Sequence, residues 1–105
     1  MSEMPERSNR SDQDNLEIVT KNVKMLSASS QKFARDLFGW IDNRGGLTQK
    51  QWAWMDVLAA RIIERAQKYG KETGNCVFCR RKLTNPYSVK VGYGPICAER
   101  NHLPW

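Results

Sequence analysis

The chain is poor in the residues that usually carry chemistry. It has three cysteines and one histidine in 105 residues. An odd number of cysteines argues against a secreted disulfide framework, which normally pairs its thiols evenly. One histidine leaves little for acid–base catalysis. No Gly-rich phosphate loop, no Ser-His-Asp set and no paired carboxylates are present. No long apolar run approaches a membrane span, and the first residues lack the apolar core of a signal peptide. These absences lead to the expectation of a soluble, cytoplasmic protein in a reducing compartment that is not an enzyme.

What is present is basic. The formal net charge is +6 and the pI is near 9.5. Residues 1–67 are nearly balanced, with ten basic and nine acidic side chains. Residues 68–100 carry seven basic side chains (Lys68, Lys71, Arg80, Arg81, Lys82, Lys90, Arg100) against Glu72 and Glu99. That asymmetry favours a polyanion or an acidic protein surface as partner.

Residues 1–15 are polar, contain Pro5 and show no apolar periodicity, so a disordered tail is expected there. Residues 16–72 predict a helical hairpin. Leu16, Val19, Val23 and Leu26 recur with helical spacing, and so do Phe33, Leu37, Trp40 and Ile41. Ser27, Ser29 and Ser30 between them offer N-cap oxygens. Asn43-Arg44-Gly45-Gly46 is a stop and turn signal. Thr48 and Gln51 have the spacing of a capping box, and Leu47 and Trp52 that of a hydrophobic staple. The helix they start is predicted over residues 49–69, with Gly70 as its left-handed terminus.

On that helix Trp52, Met55, Leu58, Ala59, Ile62, Ile63, Ala66 and Tyr69 share a broad face that reads as core. Beside it Lys50, Trp54, Arg61, Arg65 and Lys68 fall within about 60° of the wheel. Cations around an indole suit phosphates and a stacked base. A solvated face, with Trp54 completing the core, is the competing reading.

Residues 73–105 hold every cysteine and the histidine. Cys76 and Cys79 form a Cys-x-x-Cys pair; seventeen residues separate Cys79 from Cys97, and four separate Cys97 from His102. The spacing suits tetrahedral zinc bound by Cys76, Cys79, Cys97 and His102. A structural zinc supplies roughly 10–16 kcal/mol in finger peptides, more than so short a segment gains from its core. Asn85-Pro86 and the alternation of Val89 and Val91 predict a hairpin, and Pro95 a helix start near Cys97. Knuckle, hairpin and helix make a treble-clef-like finger, and the whole chain an α+β fold. Cys97 and His102 lie about 140° apart on an ideal helix, so that helix must end near Asn101 for both to reach one metal. Water, Glu99 or a residue elsewhere in the chain compete for the fourth position, and three ordinary buried thiols compete with the metal itself. Arg80, Arg81, Lys82 and Lys90 surround this segment and suit phosphate contacts.

The phrase from Cys76 to Ser88, followed by Gly92-Tyr-Gly-Pro-Ile-Cys97, resembles a family of small zinc-finger-like domains of unknown function common in phage, prophage and actinobacterial proteins. Arg81, Leu83, Thr84, Pro86, Ser88, Gly92, Gly94, Pro95 and Cys97 match its pattern position by position, and phage relatives often carry a phrase like Leu47–Trp52 upstream. The resemblance implies a phage-encoded accessory protein in the bacterial cytoplasm, with no activity attached. Two functions are expected from these features. One is nucleic-acid binding of low sequence specificity. The other is docking on a host polymerase, nuclease or defence complex, for which four tryptophans and the C-terminal Leu103-Pro104-Trp105 are candidate anchors, although Trp105 also suits a lid over the finger.

Overall fold

The computed structural model describes residues 10–103. Among them the chain is helical, with five α-helices and a single turn of 3-10 helix. The helices are α1 (Asp12–Asn22), α2 (Ala28–Arg44), α3 (Gln49–Thr73), α4 (Pro86–Val91) and α5 (Pro95–Arg100). No strand forms among the described residues; one isolated bridge pairs Asn75 with Lys82. The expected α+β fold with a treble-clef-like finger is therefore incorrect, and the fold is all-α. The chain divides into two compact units, with the boundary at Arg61/Ile62, inside α3.

In the first unit the helix starts follow from side-chain caps. Ser11 caps α1 by accepting from the Asp14 amide at 3.1 Å, and Asp12 and Asp14 sit favourably at the positive end of the helix dipole. The helix thus begins four residues before Leu16, inside the segment read as a tail; residues 1–9 of that segment lie outside the described residues. Ser27 caps α2, accepting from the Ser30 amide. Gly45 ends α2 in the left-handed region at φ 77°. Thr48 and Gln51 form the reciprocal box: the Thr48 amide donates to Gln51 Oε1 at 2.9 Å and the Gln51 amide to Thr48 Oγ1 at 3.2 Å.

Arg61 donates to Ser30 Oγ at 2.9 Å, and Trp54 packs edge-on to Phe33 at 6.0 Å. As one residue number of these pairs rises the other falls, so α2 and the start of α3 run antiparallel. Ile18, Val19, Leu26, Ala34, Leu37, Ala53, Met55, Leu58 and Ala59 form the apolar interior. A polar cluster lies among them. Asn15 Nδ2 donates to Asp56 Oδ2 at 2.9 Å, and Arg10 reaches Asn15 Oδ1 at 2.9 Å and Asp56 Oδ1 at 3.3 Å. Asp56 is 2% exposed, and its pairing offsets the cost of burying a carboxylate. Nothing in the apolar periodicity announced it.

In the second unit α3 continues through Gly70 to Thr73, and Gly74 at φ 72° is the left-handed terminus, correcting the end expected at Tyr69 and Gly70. Gly70 has a different task. A Cβ there would lie 2.5 Å from Gly92 Cα and 2.6 Å from Val89 O. Gly92, at φ 90°, would place a Cβ 1.7 Å from the Ala66 carbonyl oxygen. The last turns of α3 thus meet the end of α4 backbone against backbone. Helix α4 occupies the segment expected to be a hairpin. Asn85 accepts from the Tyr87 amide at 2.8 Å as N-cap, and Pro86 is the first helical residue. The Asn-Pro step starts a helix here instead of turning a hairpin. Tyr93, 1% exposed, packs on Phe78 at 5.8 Å and is the largest buried side chain of this unit.

Candidate metal centre

Three local devices bring the cysteines together. Gly74 turns the chain out of α3, and the Leu83 amide returns to the Gly74 carbonyl at 2.9 Å. The Cys76 amide donates to Arg81 O, and the Arg80 amide to Cys76 O, so residues 76–81 wind into a tight loop. Arg80 closes it in the left-handed region at φ 64°, held there by Tyr69: its guanidinium lies 5.3 Å from the ring centroid and donates to the hydroxyl at 3.4 Å. Cys97 arrives from the other side on α5, whose first residue is Pro95. Asn101 ends that helix and donates from Nδ2 to the Cys97 carbonyl at 2.8 Å.

The Sγ atoms of Cys76, Cys79 and Cys97 lie within 4.8 Å of one another. A tetrahedral ion with metal–sulfur bonds of about 2.3 Å has sulfur–sulfur edges of roughly 3.8 Å, so these thiols are gathered at the scale a metal requires. They could hold a metal ion. Cys76 and Cys97 are buried and Cys79 is exposed; all three are free thiols.

The acidities of Cys76 and Cys97 are pushed apart. Burial opposes ionisation of Cys76, but the amides of Cys79 and Phe78 and the thiols of Cys79 and Cys97 outweigh it and lower the pKa. Cys97 is pushed up to about 12, first by burial and then by the hydrogen bonds and charges of Cys76 and Cys79. Without a metal a thiolate is favoured at Cys76, and Cys97 keeps its proton. A divalent cation reverses this by stabilising all three thiolates.

Among the described residues, His102 is not part of this thiol group. It is exposed, one residue past the α5 C-cap, with φ 57°. The helix does end at Asn101, as a Cys97–His102 pair requires, but the imidazole is not gathered with the sulfurs. Pro104 and Trp105, and with them the expected lid or anchor, lie outside the described residues.

The three cysteines line a cleft of about 330 Å³. Arg81, Leu83, Pro95, Ile96 and Arg100 line it as well. Ile96 is 66% exposed, unusual for an isoleucine. Sequence reasoning included Arg81 among the binding residues but missed Arg100. Its signal was available, because Arg100 follows Cys97 by three residues and so shares its face of α5.

The other basic candidates fall into distinct settings. Lys50, Arg61, Arg65 and Lys68 are exposed along α3, and Trp54 is half-buried against Phe33. Arg61 is engaged with Ser30. Arg81, Lys82 and Lys90 are exposed around the cysteine loop and α4, and Arg80 is committed to Tyr69.

With this geometry in hand, the comparisons with known proteins add a boundary and no activity. Residues 66–102, about a third of the chain, match a family of unknown function (DUF6011). The match begins at Ala66, whose carbonyl meets Gly92, and ends after α5, so it encloses the thiol group and the backbone contacts that position it. No curated protein and no solved structure matches the chain. Among the described residues no helix is long and apolar enough to cross a membrane.

Proposed function

We propose that the C-terminal unit folds around a structural zinc ion and that the protein is a non-enzymatic accessory factor that binds the phosphate backbone of nucleic acid. The observation that carries the metal reading is the gathering of three thiols within 4.8 Å in a chain that has only three. Zinc is favoured among metals because it takes thiolate-rich tetrahedral sites without redox chemistry, and free thiols belong in a reducing compartment such as the cytoplasm. The resemblance to zinc-finger-like phage domains points the same way.

The charge distribution supports the nucleic-acid reading. Arg81, Lys82 and Lys90 are exposed in the unit that carries the thiols, as are Arg65 and Lys68 on its part of α3. With no recognition helix evident, such cations serve phosphates rather than base edges, so the binding has low sequence specificity and falls steeply with salt. Titration of labelled single- and double-stranded oligonucleotides against the zinc-loaded protein, over a range of salt, tests it. Replacing any one phosphate-binding cation by alanine should reduce the salt slope by about 0.7–0.9. Absence of binding at low salt would remove the proposal.

A second reading has its own observation. Ile96 at 66% exposure and Tyr87 at 44% are apolar side chains left facing solvent in a small unit, as in a protein-docking surface on a host complex. Capture of a partner that survives nuclease treatment and is abolished by Ile96→Asp would favour it.

A further inference from the structure

We infer that the metal held by Cys76, Cys79 and Cys97 keeps its fourth coordination position open to the adjoining cleft, and that a phosphate monoester occupies it, gripped by Arg81 and Arg100. The inference rests on the metal reading above and adds a ligand to it. Two observations carry it independently of each other. Among the described residues the thiol group gathers three donors and does not include His102, which leaves a tetrahedral ion one position to fill. The same three cysteines line a cleft of about 330 Å³ that also contains two arginines.

Charge selects the class of ligand. A divalent ion with three thiolates carries about −1, which alone would repel an anion. Two arginines line the same cleft and supply the opposite charge, so that an anion enters with compensation. Geometry narrows the class. A guanidinium fork grips carboxylate or phosphate by paired hydrogen bonds. A carboxylate has two oxygens, too few to bind the metal and satisfy two forks together. A phosphate monoester presents three terminal oxygens: one for the metal and others for Arg81 and Arg100. The cleft also exceeds a phosphate in size and reaches the lower end of the range for small-ligand sites. Leu83, Pro95 and Ile96 supply an apolar wall for whatever the phosphate is attached to. Free phosphate and the phosphorylated end of a nucleic-acid strand share this chemistry.

The test uses the full chain loaded with one equivalent of cobalt(II), whose visible absorption reports its coordination shell. Inorganic phosphate should shift that absorption saturably. His102→Ala should leave the phosphate-free spectrum unchanged. The double variant Arg81→Lys, Arg100→Lys keeps the charge but removes both forks, and should weaken phosphate binding at least tenfold while still taking up cobalt. A 5′-phosphorylated oligonucleotide that shifts the spectrum where its hydroxyl-ended twin does not assigns the site to strand ends; a response to inorganic phosphate alone assigns it to the free ion. Cobalt uptake with no response to phosphate, or a spectrum altered by His102→Ala before phosphate is added, overturns the open position and leaves the metal reading standing. No cobalt uptake overturns both.

Discussion

The two units of this chain solve the same problem with different means. The unit of residues 10–61 buries nine apolar side chains from three helical segments and a fully hydrogen-bonded Arg10–Asn15–Asp56 cluster. Its helix starts and turns are capped by Ser11, Ser27, Thr48 and Gly45. The unit of residues 62–103 has the last twelve residues of α3, two six-residue helices, one isolated bridge and an interior in which Cys76 and Cys97 take places that apolar side chains fill elsewhere. Beyond Thr73 regular structure is confined to the two short helices, and their packing depends on glycines that let backbones touch. The comparison teaches where a metal would matter: the first unit is held by burial and caps, whereas in the second the proposed metal would supply a cross-link between residue 76 and residue 97.

The largest expected effect comes from breaking that cross-link. Cys97→Ser should abolish stoichiometric metal binding and unfold residues 74–103, with loss of their dispersed NMR signals, while residues 12–58 keep theirs. Next is Gly92→Ala. The added Cβ meets the Ala66 carbonyl at 1.7 Å and the backbone sits at φ 90°, so the second unit should be destabilised by about 3 kcal/mol or more. Denaturant unfolding of the metal-loaded protein measures it. In the first unit Asp56→Ala should cost about 2–3 kcal/mol, because Arg10 and Asn15 are left without their buried acceptor. Metal content should not change, which sharpens the contrast between the units.

A smaller effect follows from acidity. With a pKa of about 12, Cys97 keeps its proton in the metal-free protein at neutral pH. Metal loading must release at least that proton, so apparent affinity rises about tenfold or more per pH unit and falls on acidification. Competition with a chelator of known proton affinity, at two pH values, checks both sign and slope. Smallest is Gly45→Ala, where φ is 77° but no atom lies within 4 Å of the added Cβ; about 1 kcal/mol of strain is expected. The gap between Gly45→Ala and Gly92→Ala separates backbone strain from backbone collision.

Much of the first unit was legible because its signals are local. A capping box at Thr48 and Gln51, a Gly-Gly stop and a helical apolar face each act within a few residues, and each formed. The thiol group was legible for a different reason. Metal-ligand chemistry narrows a chain with three cysteines to one arrangement, and all three converge. Three things were not legible. The Asn85-Pro86 step is compatible with a hairpin turn and with an N-cap, and only the packing of the following helix on α3 distinguishes them. Gly70 looked like a helix terminus because a glycine at a close approach and a glycine at a left-handed end are the same letter. Asp56 looked like one more surface acid on an amphipathic helix, since its partners Arg10 and Asn15 lie more than forty positions away. Long-range polar pairing leaves no periodicity to read.

Amide hydrogen exchange on the metal-loaded protein, before and after a chelator, tests the account most directly. Chelation should bring residues 74–103 to near-unprotected exchange while residues 12–58 retain their protection. Equal protection in both units after complete metal removal, or a freshly purified protein with no bound metal and a protected C-terminal unit, would contradict it.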